Sequence, residues 1–151
     1  MIIQTENKHI EELSHLRVLQ QKDDWQEDYQ GSDDELFAQT KQFLEEHLNK
    51  DLFIFAEFQD DAIIATCGLS LLKTLPQCWD NGVYGYVCNV FTLEKFRGRG
   101  IQTNLMAHLM TFVENKKIKR LLLSSDNPTA IHIYQKFGFK KDDWGYKWMK
   151  Q

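Results

Sequence analysis

Two stretches of this chain carry residue types and spacings suited to chemistry. The first is "FRGRGIQTNL", Phe96 to Leu105, where two arginines and two glycines precede a helix-like pattern. A glycine turn that opens a helix presents unpaired backbone N–H groups and the positive end of a helix dipole, which together cradle an anion. Gly98 and Gly100 let the backbone approach a phosphate, and Arg97, Arg99 and Lys95 add charge. Neither Gly-x-x-x-x-Gly-Lys-Ser/Thr nor Gly-x-Gly-x-x-Gly is present, so a P-loop and a dinucleotide fingerprint are excluded. The second stretch is "DNPTAIHIYQKFGF", with a capping asparagine, a proline at the first helical position and a glycine where a left-handed cap ends a helix. Taken alone, Asn127 reads as a helix cap and Tyr134 as a packing aromatic.

The elements that must position these residues follow from periodicity. Met1 to Gln4 is a short strand, and "HIEELSHLRVLQ" places Ile10, Leu13, Leu16 and Leu19 or Val18 on one helical face. Ser32 and Glu35 form a capping box for a second helix with Leu36, Phe43, Leu44 and Leu48 on its buried face. "DLFIFAEF" and "AIIATCGLSLL" are strands joined at "QDD", and "VYGYVCNVFTL" is another. A long helix runs from Arg99 or Gly100 to about Lys117 with Ile101, Leu105, Leu109, Phe112 and Val113 inward. "IKRLLLSS" reads as a strand buried on both faces, and "WGYKWMK" as a last strand alternating Trp144, Tyr146 and Trp148. The order β-α-α-β-β-β-α-β-α-β predicts an α/β layer fold without internal repeat.

Composition bounds the rest. With 151 residues, 42% hydrophobic, the chain is expected to form one domain, residues 1–151. It shows no apolar run of membrane-spanning length and no leader pattern, which makes the cytoplasm the expectation. Cys67, Cys78 and Cys88 lack Cys-x-x-Cys spacing and are expected as reduced, mostly buried thiols; the five histidines show no ligand spacing, so no metal is expected. The net charge of −4 is polarised: 16 acidic against 6 basic residues in 1–75, and 6 against 12 in 76–151. Such a chain suits a site joining an anion to a cation and disfavours nucleic acid.

"VFTLEKFRGRGIQTNLM" followed by "LLLSSDNPTAIHIYQKFGFK" resembles the GNAT superfamily of N-acetyltransferases over roughly residues 83 to 141. The family pattern Arg/Gln-x-x-Gly-x-Gly/Ala is met at Arg97 and Gly100, with Gln102 where the family has a small residue. The pattern Asn-x-x-Ala-x-x-x-Tyr-x-x-x-Gly-Phe is complete at Asn127, Ala130, Tyr134, Gly138 and Phe139. The resemblance implies a single mixed, mostly antiparallel sheet with helices on both faces, and a splayed fourth and fifth strand with the pantetheine arm of acetyl-CoA between them, hydrogen-bonded by Val90, Phe91 and Thr92. It places the diphosphate on the N–H groups of Gly98, Arg99, Gly100, Ile101, Gln102 and Thr103, Asn127 on the pantetheine, and Tyr134 as the acid that protonates the leaving thiolate.

No base carries over, since the fifth strand offers only Leu121, Leu122 and Leu123; Glu57, Tyr84, Tyr86 and the N-terminal acids stand as candidates. The loop after the first helix gathers Asp23, Asp24, Glu27, Asp28, Asp33 and Asp34 around Trp25 and Tyr29. Acids interleaved with aromatics suit a cationic amine, so Trp25, Asp28, Tyr29 and Tyr84 are the expected acceptor residues. The activity so implied is acetyl transfer from acetyl-CoA to a primary amine, a small cationic metabolite, by direct attack in a ternary complex. Acetylation of a protein or peptide amine and a non-catalytic acyl-CoA-binding regulatory module are the alternatives. A homodimer is compatible with the sequence; a membrane partner is not expected.

Overall fold

The computed structural model describes residues 1–143, 145 and 148–150. Strand β1 (Ile2–Gln4) is followed by helices α1 (Ile10–Trp25) and α2 (Asp33–His47), and then by the antiparallel strands β2 (Leu52–Gln59), β3 (Ala62–Lys73) and β4 (Val83–Thr92). Helix α3 (Ile101–Asn115), strand β5 (Leu121–Leu122) and helix α4 (Pro128–Lys136) complete the order. The sheet runs β1-β2-β3-β4-β5, with only the β4–β5 pair parallel. No helix among the described residues is long and apolar enough to cross a membrane.

Alternation along β2 divides the core. Leu52, Ile54 and Ala56 face α1 and α2, where they meet Ile10, Leu13, Leu16, Leu44 and Leu48; Phe53 and Phe55 face α3, where they join Leu105, Met106, Leu109 and Val113. Helices thus cover both faces, as period-2 strands buried on both sides require. The β2–β3 hairpin closes through Asp60 and Asp61, both at positive φ (51° and 61°) between the paired Gln59 and Ala62. Two left-handed residues give the turn whose twist matches the strands, and aspartate tolerates that conformation.

Some expectations about burial are corrected. Val18 rather than Leu19 faces inward, and Phe43 lies outside against the His47 ring, 4.3 Å between centroids. The strand expected from "IKRLLLSS" pairs through only two residues, and Leu122 is exposed. Cys67 is buried, but Cys78 is exposed and Cys88 half-buried. Ser32 caps α2 by accepting from the Glu35 N–H at 3.3 Å, while the Glu35 side chain accepts from Gln39 instead of closing the box. The expected last strand and its Trp144 and Tyr146 lie largely outside the described residues; Trp148 is exposed.

Candidate active site

Among the described residues the β4–β5 pair holds only at Gly85↔Leu121 and Tyr86↔Leu122, so from Val87 onward the far edge of β4 has no strand partner among them. Gly85 permits the close approach: a Cβ there would lie 2.6 Å from both Leu121 Cδ2 and Leu69 Cδ1. Beyond it, β4 carries an extra residue. Thr66 pairs with Phe91 and Gly68 with Cys88, so Asn89 and Val90 together oppose Cys67, with Asn89 at φ 51°. This is a β-bulge, which bends the strand and swings its edge outward. The buried Thr66 hydroxyl fastens it by donating to Asn89 O at 2.8 Å.

The parted strands open a cleft of about 580 Å³. Its walls are Val90, Phe91 and Thr92 from β4, Phe96 to Gly100 from the turn, Ile101, Gln102 and Met106 from α3, and Asn127, Thr129, Ala130, Ile133 and Tyr134 from α4. Asp23 and Asp24, at the end of α1, close the remaining side. Every residue expected at the cofactor therefore lines one cavity except Thr103, which contributes to the first turn of α3 without reaching the wall.

The turn is built to receive an anion. Gly98 and Gly100 sit at φ 75° and 74°, a conformation that disfavours a side chain, and a Cβ on either would meet nothing within 4 Å. Gly100 caps α3 with no side-chain acceptor. The Phe96 and Arg97 amides bond Leu93 O and Glu94 O, and Asn104 bonds Gly100 O at 3.2 Å; those of Gly98 through Thr103, between them, have no partner among the described residues. Six free donors at a helix start fit a diphosphate without help from the arginines. Those side chains are otherwise engaged: Arg99 donates to Lys95 O, and Arg97 donates from Nε to Thr92 O and from Nη2 to Asp23 Oδ2 at 2.8 Å.

The open edge of β4 is likewise partly occupied. Gln20, buried on α1, donates to Val90 O at 3.3 Å and is itself held by Arg17. Arg97 donates to Thr92 O on the same edge, while Phe91 O, which accepts from Gln102, turns toward its partner Thr66 on β3. An arm lying here would find N–H groups and the second lone pairs of these carbonyls.

Asn127 caps α4 and lines the cleft: its Oδ1 accepts from Thr129 and Ala130 N–H at 3.0 and 3.2 Å, while its Nδ2 has no partner among the described residues. Tyr134 is buried against Phe139 and Cys67. Its hydroxyl has no hydrogen-bond partner among the described residues, and burial, with a smaller push from the Cys67 thiol, raises its pKa to about 12. It stays protonated at neutral pH, as a proton donor must.

The expected acceptor residues are not brought together. Trp25, Asp28 and Tyr29 line a separate depression between α1 and α2, which shares no lining residue with the cleft. The charged residues that line it are the acids Asp28 and Glu35; beside it, Lys22 and the Tyr29 hydroxyl both bind Asp33, whose carboxyl they hold below its ordinary range. Tyr84 lies near the start of β4, stacked on the Arg120 guanidinium at 4.7 Å. Among the base candidates, Glu57 sits on the β1–β2 side of the sheet, bound by the Met1 ammonium. Two acids expected only in the acceptor loop, Asp23 and Asp24, instead reach the cleft because α1 extends to Trp25. Burial and the neighbouring Asp23 push the Asp24 carboxyl up, and it makes no ion pair or hydrogen bond among the described residues. Met106, one turn beyond Gln102, and Ile133, beside Tyr134, were legible only through helical spacing.

An open mixed sheet that parts beside an amide-lined helix start defines a CoA-dependent acetyltransferase. Residues 17–139 match the acetyltransferase (GNAT) family, and the chain belongs to it. Such enzymes use acetyl-CoA as co-substrate. Among solved structures, a predicted acetyltransferase with acetyl-CoA from Clostridium acetobutylicum is 24% identical, with a TM-score of 0.79 over 100% of this chain and 94% of that one. The aminoglycoside acetyltransferase AAC(6')-Iy in complex with a bisubstrate analogue is 22% identical, TM-score 0.73, over 100% and 97%. An aminoglycoside acetyltransferase from an uncultured soil metagenomic sample, in complex with sisomicin, is 10% identical, TM-score 0.70, over 100% and 96%. At these identities the likeness is one of fold. No curated protein matches the sequence.

Proposed function

We propose that this acetyltransferase moves the acetyl group of acetyl-CoA to the primary amine of a small cationic acceptor, by direct attack in a ternary complex. The observation that carries the reading is the composition of one cleft. It joins free amides for a diphosphate, an open strand edge, a protonated phenol, and two carboxylates on the facing helix. The diphosphate would rest on the amides from Gly98 to Thr103 and the pantetheine arm along Val90 to Thr92, with Asn127 Nδ2 donating to it. The amine nitrogen would form a bond to the thioester carbon as the carbon–sulfur bond breaks. Tyr134 would give its proton to the departing sulfur and recover one from solvent.

Asp24 supports the acceptor's charge. It is the cleft carboxylate without a partner, and an unpaired carboxylate at the wall attracts an ammonium and can take the proton the amine must shed. Two of the similar structures are aminoglycoside acetyltransferases, enzymes of polycationic acceptors, which agrees with this choice. The test is CoA thiol release from acetyl-CoA against polyamines, aminoglycosides, amino acids and peptides. Turnover with basic small molecules and not with peptides is expected; turnover confined to peptides, or acetyl-CoA binding without turnover of any amine, refutes it.

A further inference from the structure

The residue that departs from the family pattern, Gln102, occupies the junction of three elements. It is the second residue of α3, in the run of free amides that opens the helix. Its side chain turns away from that run and under the strands. Nε2 donates to Thr66 O on β3 at 3.0 Å, to Phe91 O on β4 at 2.9 Å, and to Thr92 Oγ1 at 3.0 Å. Two of these partners are carbonyls, which only accept, so the amide nitrogen and not the oxygen must face them. The oxygen is left buried with no donor among the described residues. Thr66 and Phe91 are the last paired residues before the bulge at Asn89 and Val90. Gln102 thus joins the start of α3 to both strands at the point where β4 swings outward. A glycine or alanine at this position reaches none of these acceptors.

We propose that Gln102 is a positioning residue for acyl-CoA: its carboxamide fixes the distance between the diphosphate-binding turn and the open edge of β4. The inference rests on the reading that acetyl-CoA occupies the cleft. A ligand that touches the turn at one end and the strand edge at the other is sensitive to their separation. Holding that separation before binding removes part of the ordering cost of the complex. The side chain acts through the backbone carbonyls of Thr66 and Phe91 and the hydroxyl of Thr92, and does not itself touch the reacting atoms.

The test compares Gln102→Met, which keeps the volume and removes the donors, with Gln102→Ala, which removes both. If the donors position the site, KM for acetyl-CoA and its calorimetric Kd rise about tenfold in both variants, while kcat at saturating acetyl-CoA stays within about threefold. Thr92→Val removes one acceptor without altering Gln102 and is expected to raise Kd about two- to threefold. Its effect should largely vanish in the Gln102→Met background, because the two changes break the same contact. This milder pair keeps the inference testable should Gln102→Ala fold poorly. Wild-type Kd in Gln102→Met would reduce the residue to a space filler and overturn the proposal, as would additivity with Thr92→Val. Failure of the wild-type protein to bind acetyl-CoA at all would instead remove the functional reading beneath it.

Discussion

The ion pair between Asp23 and Arg97 spans the cleft, and replacing Asp23 by Asn should tighten acetyl-CoA binding. Arg97 Nη2 lies 2.8 Å from Asp23 Oδ2, and both side chains line the cavity in which the diphosphate would sit. Arg97 is also tied through Nε to Thr92 O, so its guanidinium is held at the turn whichever anion it serves. A diphosphate reaching the free amides of Gly98 to Thr103 then competes with Asp23 for the same cation. Each partner's side chain is 44% exposed, so solvent screens the pair and its worth falls in the ordinary surface range, about 0.2–1 kcal/mol. Releasing it before the ligand arrives should lower Kd by a factor of about 1.4 to 5, since about 1.4 kcal/mol is tenfold. Calorimetry with Asp23→Asn at low ionic strength measures this, and the gain should shrink at high salt. Asp24→Asn is the control, because it removes one negative charge from the same wall without breaking the pair. An Asp23→Asn variant that binds acetyl-CoA more weakly than wild type, or gains no more than Asp24→Asn, would refute the reasoning.

Tyr134→Phe should lose about 100-fold or more in kcat with acetyl-CoA affinity little changed, as expected of a general acid, measured by thiol release and calorimetry. The Tyr134 pKa, raised from 10.0 to about 12, means that the folded state holds this proton more tightly than the unfolded chain. Stability is therefore complete below pH 10 and declines as pH rises toward about 12, a loss that Tyr134→Phe should attenuate in alkaline melting curves. The Asp24 carboxylate, pushed up by burial and Asp23, loses its charge earlier on acidification than an ordinary aspartate; the acid limb of kcat/KM should shift to lower pH or disappear in Asp24→Asn. Asn127→Asp keeps the oxygen that caps α4 and drops the free amide donor, so the melting temperature should hold while acetyl-CoA affinity falls. Asn127→Ala should lose both, with about 0.5–2 kcal/mol of stability. Gly85→Ala forces a methyl against Leu121 and Leu69 and should cost about 1–3 kcal/mol by denaturant titration.

That the turn, the start of α3 and the inner face of α4 share one cleft was legible because each is written locally. A glycine turn, a helix start and a capped helix with a tyrosine on its inner face are each written within a few neighbouring residues, and their backbone geometry follows from those residues. The acceptor half depends on how far α1 runs. Read as a loop from Lys22 onward, the acids of that region belong together with Trp25 and Tyr29; once the helix continues to Trp25, Asp23 and Asp24 turn toward the cleft and the aromatics away from it. Lys22, within the same acidic run, binds Asp33 from the preceding helix, a pairing that the local pattern does not reveal. The side chains of Gln20 and Gln102 were silent for another reason. A glutamine's partners are set by whichever carbonyls the tertiary structure leaves open, here at Val90, Phe91 and Thr66.

The bare stretch of β4 beyond Tyr86 has a consequence for how the protein behaves at high concentration. An unpaired strand edge invites a strand from another molecule, and such pairing is a route to aggregation. Here the register is broken by the extra residue at Asn89, and the carbonyls of Val90 and Thr92 already carry Gln20 and Arg97. A neighbouring chain would find no regular ladder of donors and acceptors to match. A slender arm with only a pair of amides needs no such ladder, so the same edge can admit its ligand and still discourage self-association.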